Sequence, residues 1–195
     1  MNKELFFETI KINDAKIYHI EYHQNRFEKN FCLHVNLQDY IDPPKKGLYR
    51  CKLVYDTKEI KSVDFFQYKK KKINSIALVE CNDIEYSKKY LDRSRFDTLM
   101  NQVDTDEILI VKNGLITDTS IANIAFFDGE KWLTPKDPLL EGTTRKRYLQ
   151  KGSLIEKDIT PEMIVNFSKV AFLNAMIDFD IMSLENISKE KIIVK

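Results

Sequence analysis

The sequence predicts a mixed α/β (α+β) fold in two domains, over 1–82 and 83–195. Three observations lead there. Residues 108–127 read as strands joined by hairpin signals: Ile-Leu-Ile-Val turns at Asn113-Gly114, and the run from Ile116 to Phe127 ends at Asp128-Gly129. Stretches with helical periodicity alternate with such strands along the chain. The polar, turn-like run from Cys81 to Tyr86 marks a boundary between the halves.

Composition narrows the function. The 195 residues suffice for a sizeable core. With 31 basic against 30 acidic residues there is no excess charge to attract nucleic acid. The 12 Phe and 9 Tyr beside 5 Gly and 5 Pro indicate an ordered protein. Cys32, Cys51 and Cys81 are an odd number without metal-ligand spacing, so neither a disulfide framework nor a zinc site is expected, and each reads as an apolar packing residue. The amino-terminal stretch carries acids where a secretory leader would be basic and then apolar, and no later run approaches the roughly 20 apolar residues that span a bilayer. The expectation is a cytoplasmic protein with neither nucleic acid nor membrane as partner.

Element by element, Leu5–Ile12 alternates as a strand, Asn13-Asp14 turns, and Lys16–Ile20 returns as a hairpin. Glu21–Val35 changes to helical periodicity with Tyr22, Phe27, Phe31 and Val35 as the apolar stripe, and puts His23 and Arg26 on one face. By themselves these two are solvated helix polars. After the Pro43-Pro44 loop, Gly47–Asp56, Glu59–Tyr68 and Ile73–Glu80 read as three strands. Arg50 among apolar neighbours is a candidate for pointing into a cleft, and the lysines from 69 to 72 form a solvated turn. A helix is expected to start at Ser87 as N-cap and run through Gln102, burying Tyr90, Phe96, Leu99 and Met100. Beyond the 108–127 strands, Gly142, Thr143 and Thr144 stand at the mouth of a helix over Thr143–Gln150, which Lys151-Gly152 ends. Such a mouth suits a phosphate, although either threonine could serve as a plain cap and Asp118 as a turn residue. A strand over Ser153–Thr160, a short helix from Pro161 and a last buried strand over Lys169–Phe179 complete the reading.

Taken together, Thr117, Asp118, Thr119, Ser120 and Asn123, then Thr134-Pro135, then Leu140, Gly142, Thr143, Thr144 and Arg145 resemble the class IV, fold type IV pyridoxal-phosphate (PLP) enzymes. The resemblance extends to Phe7-Glu8-Thr9-Ile10, to His23, Arg26 and Phe27, and to Lys89-Tyr90-Leu91-Asp92-Arg93. It implies a two-domain PLP enzyme with the active site between its domains, a shortened N-terminal domain lacking the strand that usually precedes Phe-Glu-Thr, and a homodimer. It also implies site roles: Lys89 as Schiff-base lysine rather than Lys88, Asp118 facing the pyridine nitrogen, and Arg26, Leu140, Thr143, Thr144 and Asn174 around the phosphate. The family usually has Glu where Asp118 stands, so the reach to the ring is one methylene shorter.

The short chain and the Lys-x-x-Asp-Arg form are most similar to the 4-amino-4-deoxychorismate lyase branch, which makes 4-aminobenzoate and pyruvate for folate biosynthesis. The alternatives are an aminotransferase acting on branched-chain or D-amino acids, which shares the lysine, acid and phosphate site, and a non-catalytic cofactor-binding relative. The enzyme readings imply a small-molecule amino substrate, and the non-catalytic one a bound cofactor or partner protein without turnover.

Overall fold

The computed structural model describes residues 4–30 and 34–193, with side chains through 185. Its class is the mixed α/β one that the sequence predicts. The chain forms two compact units, one of residues up to 70 together with 88–92, the other of 71–87 together with 93 onward.

The first unit is a four-stranded antiparallel sheet in the order β2-β1-β3-β4, from β1 (Phe6–Asn13), β2 (Lys16–Ile17), β3 (Leu48–Tyr55) and β4 (Ile60–Gln67). The period-two alternation of β1 turns Phe6, Glu8, Ile10 and Ile12 to the buried face. Helix α1 (Ile20–Glu28) lays Phe27 into the same core, its ring 4.7 Å from that of Tyr55. This helix ends earlier than its apolar periodicity suggests: Val35 lies beyond it, and Phe31 and Cys32 fall outside the described residues. Arg50 is exposed and stacks on Phe66, 5.1 Å from the ring centre, instead of entering a cleft. The lysines at 69–72 are exposed, as a solvated turn requires.

Residues 88–92 do not begin a helix. Phe7 N donates to Lys89 O at 3.0 Å, Leu91 N donates to Leu5 O at 2.8 Å, and Tyr90 pairs with Phe6 as an isolated bridge. Strand-like pairing to β1 satisfies their backbone and outweighs the helical pattern, so α2 (Ser94–Met100) starts seven positions after Ser87. The 1–82 and 83–195 division differs from the compact units for a related reason. Strand β5 (Ile76–Glu80) pairs in parallel with β6 (Glu107–Lys112), which commits it to the second unit.

That unit is a nine-stranded sheet. Its path runs β10-β9-β8-β7-β6-β5-β13, with β7 (Leu115–Thr119), β8 (Asn123–Phe127), β9 (Trp132–Pro135), β10 (Ile155–Lys157) and β13 (Ile187–Ile193), while β11 (Lys169–Asn174) pairs with β8 and with β12 (Asp178–Met182). The single last strand expected over Lys169–Phe179 is instead broken after Asn174 into β11 and the start of β12, and β13 follows. Helix α3 (Thr143–Gln150) stands where the sequence places it, and the short helix from Pro161 is a 3-10 turn over Pro161–Asn166. Leu109, Val111, Ile124, Phe126, Val170 and Phe172 fill the core. Cys51 and Cys81 are buried free thiols; Cys51 packs in the first unit's core as expected, whereas the Cys81 thiol donates to Asp83 and accepts from Arg95.

Among the described residues no helix is long and apolar enough to cross a membrane, and no cluster of side chains could hold a metal ion. Phe27→Ala should cost about 3–5 kcal/mol in urea unfolding, as loss of a buried aromatic does. Phe66→Ala, at an exposed position, should cost under about 1 kcal/mol by the same measurement.

Candidate active site

The run from Thr117 to Asn123 is not one strand. Between Leu109↔Thr119 and Val111↔Ile116 the β6–β7 register shifts, so Ile110 faces two residues, Thr117 and Asp118. Such a bulge re-aims side chains. Here it accompanies the burial of consecutive polar residues, Thr117, Asp118, Thr119 and Ser120, that an unbroken alternation would have split between faces. A tight turn follows, in which Thr119 Oγ accepts from Ala122 N at 3.0 Å and from Ile121 N at 3.3 Å. Threonine hydroxyls favour such turns. The chain returns with Asn123 opposite Asp118.

Asp118 is fully buried and held from two sides. Asn123 Nδ2 donates to its Oδ1 at 2.6 Å and Leu140 N donates to its Oδ2 at 3.0 Å. Asn123 Nδ2 also reaches Leu140 O at 2.8 Å, so one carboxamide ties the acid to the 139–142 loop. Burial pushes the Asp118 carboxyl up to about 6, against the pull of those two donors and of the Arg145 charge. A buried acid of this kind favours a cation or a protonated ring nitrogen as neighbour.

The same loop opens α3. A Cβ on Gly142 would sit 1.8 Å from Asn123 Oδ1, so only glycine lets the loop close on the carboxamide. Gly142 is the N-cap, no side chain caps the helix, and the next three residues, Thr143, Thr144 and Arg145, are buried. Arg145 anchors this end through Nη2 to Pro135 O and to Glu156 Oε1, each at 2.7 Å. An uncapped helix start with two hydroxyls beside it is the arrangement that holds an anionic phosphate. Asn174 lies at the β11 end, where its Oδ1 accepts from Met176 N and Ile177 N at 2.9 and 3.1 Å and its Nδ2 donates to Ile121 O at 3.3 Å. Its carboxamide shapes that turn and ties it to the 119–122 turn.

In the first unit Glu8 is the centre. Arg26 grips its carboxylate with Nε at 2.8 Å and Nη2 at 2.5 Å, and His23 Nδ1 lies 2.6 Å away. Burial would raise the Glu8 carboxyl, but the Arg26 charge and hydrogen bond, with the His23 bond, hold it at about 2. Burial lowers the His23 imidazole although the Glu8 bond opposes it, and beside the carboxylate Nδ1 is the donor. Lys89 is half-buried, with Nζ 4.5 Å from the Phe7 ring centre, and its charge also lowers His23. Lys88, its neighbour, is exposed.

The sequence-predicted residues thus gather into two groups: Asp118, Leu140, Thr143, Thr144 and Asn174 in the second unit, and Arg26 and Lys89 in the first. Two residues essential to this geometry stood in the motifs without a role, Asn123 and Glu8. Glu8 was visible as an acid on the buried phase of an alternating strand, a position that demands a partner.

Residues 87–181 match the family described as Amino-transferase class IV. An uncharacterized protein of Haemophilus influenzae is 41% identical, over 87% of this chain and 96% of its own length. The crystal structure of a protein from Haemophilus somnus, provisionally described as a 4-amino-4-deoxychorismate lyase, superposes with a TM-score of 0.81 at 31% identity, covering 90% of this chain and 97% of that one. The chain belongs to the class IV aminotransferase family. A Brucella abortus aminotransferase bound to PLP shares this family fold, with a TM-score of 0.67 at 12% identity over 91% of this chain and 80% of its own.

Asp118 and Glu8 pull stability in opposite directions as pH changes. Because burial places the folded pKa of Asp118 above its ordinary 3.8, stability falls as pH rises from there through about 6. Glu8 is depressed, so its contribution is full above 4.5 and is lost as pH falls toward about 2. Urea unfolding of the cofactor-free protein should therefore show wild type losing about 3 kcal/mol relative to Asp118→Asn between about pH 4 and 7. Parallel pH curves would contradict the assignment. Gly142→Ala should displace Asn123 and cost about 1–3 kcal/mol, the penalty for leaving buried polar groups unpaired, read from the same unfolding curves.

Proposed function

We propose that the chain is a PLP-dependent lyase that converts 4-amino-4-deoxychorismate to 4-aminobenzoate and pyruvate. The observation that carries the cofactor is the buried Asp118, held by Asn123 and Leu140, next to an uncapped helix start whose glycine packs against the same asparagine. That donor set fits a ring cation at the acid and a phosphate at the helix mouth. PLP supplies an electron sink for charge released at the substrate's amine-bearing carbon.

The residues of this chain do the rest. Lys89 Nζ is the group that would hold the cofactor, and it would take a proton from the amine-bearing carbon and return one. Asp118 keeps the ring nitrogen protonated. Its short side chain makes the bulge at Thr117-Asp118 important, since backbone position must supply the reach that a glutamate would have. Thr143 and Thr144 would bind phosphate with backbone N–H and hydroxyl donors, and Arg26, fixed in orientation by Glu8 and His23, would contribute charge; Leu140, expected at the phosphate, has its N–H taken by Asp118 and shapes the loop beside it instead. Asn174 acts by shaping the turn beside Ile121. The family relative from Haemophilus somnus, which this chain covers almost end to end, favours the lyase over the aminotransferase. In this reading the enzyme is a cytoplasmic homodimer serving folate biosynthesis.

Borohydride reduction of the PLP-loaded protein should fix the cofactor on Lys89, read by peptide mass, and a label on Lys88 would overturn that assignment. Incubation with 4-amino-4-deoxychorismate and no keto acid should release 4-aminobenzoate and pyruvate over many turnovers. If a panel of L- and D-amino acids instead bleaches the cofactor band and a keto acid restores it, the chain is an aminotransferase. Bound cofactor with silence from both substrates points to the non-catalytic relative.

A further inference from the structure

Ser120, at the tip of the turn after Asp118, has both backbone groups engaged by charged side chains. Its N–H donates to Glu107 Oε1 at 3.0 Å, and its carbonyl accepts from Arg93 Nη2. Glu107 is fully buried, and the same Oε1 accepts from Ile108 N at 3.0 Å. Its Oε2 accepts no hydrogen bond among the described residues, and Lys71 Nζ lies 3.7 Å from it. The Arg93 guanidinium lies over the Phe96 ring, 4.6 Å from its centre, with the Tyr86 ring centre 5.7 Å away.

A buried carboxylate and a guanidinium are costly means of holding one turn. Hydroxyls already close that turn through Thr119. The charged pair adds rigidity at one place, the peptide units on either side of Ser120. These peptides connect Asp118 to Asn123, the only paired positions of β7 and β8. If Ser120 moves, the acid and the carboxamide that holds it move with it.

We propose that Arg93 and Glu107 are positioning residues that clamp Ser120 and thereby fix the Asp118 carboxylate where the cofactor ring must meet it, an inference that rests on the reading of Asp118 above. Lys89 and Arg93 then form the two working ends of one motif, the lysine for chemistry and the arginine for placement of the acid. Neither residue touches substrate or cofactor in this scheme.

The test follows Asp118 itself in cofactor-free protein, by carboxyl NMR with the Asp118→Asn variant used to assign the signal. In wild type its midpoint lies near about 6, set by burial, Asn123, Leu140 and the nearby Arg145 charge. In Arg93→Met, which keeps the packing on Phe96 and loses the donors, and in Glu107→Leu, the loosened turn should admit water and the midpoint should fall toward the ordinary carboxylate range. Glu107→Gln, which retains an acceptor for Ser120 N, should keep the wild-type midpoint, and the Ser120 amide should exchange with solvent faster in the first two variants only. Should Arg93→Met fail to fold, Arg93→Lys provides a milder loss of the guanidinium geometry. An unchanged midpoint in folded Arg93 and Glu107→Leu variants overturns the proposal, as does a Glu107→Gln shift equal to that of Glu107→Leu. Because no cofactor is present, failure here is separate from failure of the PLP reading, which borohydride labelling tests.

Discussion

A carboxylate removed from water must be given other partners or lose its charge, and the second unit is organised around one such group. Asp118 receives a carboxamide and a backbone N–H, which recover part of the lost hydration and leave its carboxyl raised to about 6. The Asn123 bridge then brings the 139–142 loop to the β7–β8 hairpin, and the absence of a side chain at Gly142 makes that approach possible. The start of α3 is placed by the same contact. Acid, carboxamide, glycine and helix mouth are thus one hydrogen-bonded assembly, which is why they stand together as a motif.

The first unit solves the same problem with the opposite electrostatic result. Glu8 is as buried as Asp118, but the bidentate Arg26 and the His23 hydrogen bond hold it ionised. The cluster fixes the orientation of α1 against β1, since breaking a buried pair by removing one partner leaves an uncompensated charge. It also fixes the direction of the Arg26 guanidinium.

The helix expected from Ser87 shows how tertiary pairing can override local preference. Lys88 to Asp92 carry a helix-compatible pattern, but β1 offers backbone partners at Leu5 and Phe7, and Phe6 offers an aromatic surface for Tyr90. The segment extends, and Lys89 comes to rest near the Phe7 ring with its carbonyl bonded to Phe7 N. In a helix it would have pointed along another direction entirely. The position of the motif lysine is consequently a product of strand pairing, whereas the identity of the lysine is a matter of motif spacing.

From the sequence alone one could determine what depends on short spacing and periodicity: the opening hairpin, the inward face of β1, the strands around Asn113-Gly114, the helix after Gly142 and the family. The motif also named Asp118, Thr143 and Thr144, which the structure places in the second unit, Thr143 and Thr144 at the start of α3. Only the tertiary structure decided which groups satisfy the buried charges. Glu8 finds Arg26 across 18 positions, and Asp118 finds the Leu140 backbone across 22, and neither partner can be read from local pattern. Likewise the bulge at Thr117-Asp118, the break at Ser120-Ile121 and the transfer of 88–92 to the first unit come from pairing with distant strands. Local propensities in these segments are worth tenths of a kilocalorie per residue, whereas an unsatisfied buried polar group costs about 1–3 kcal/mol, so long-range hydrogen bonding prevailed.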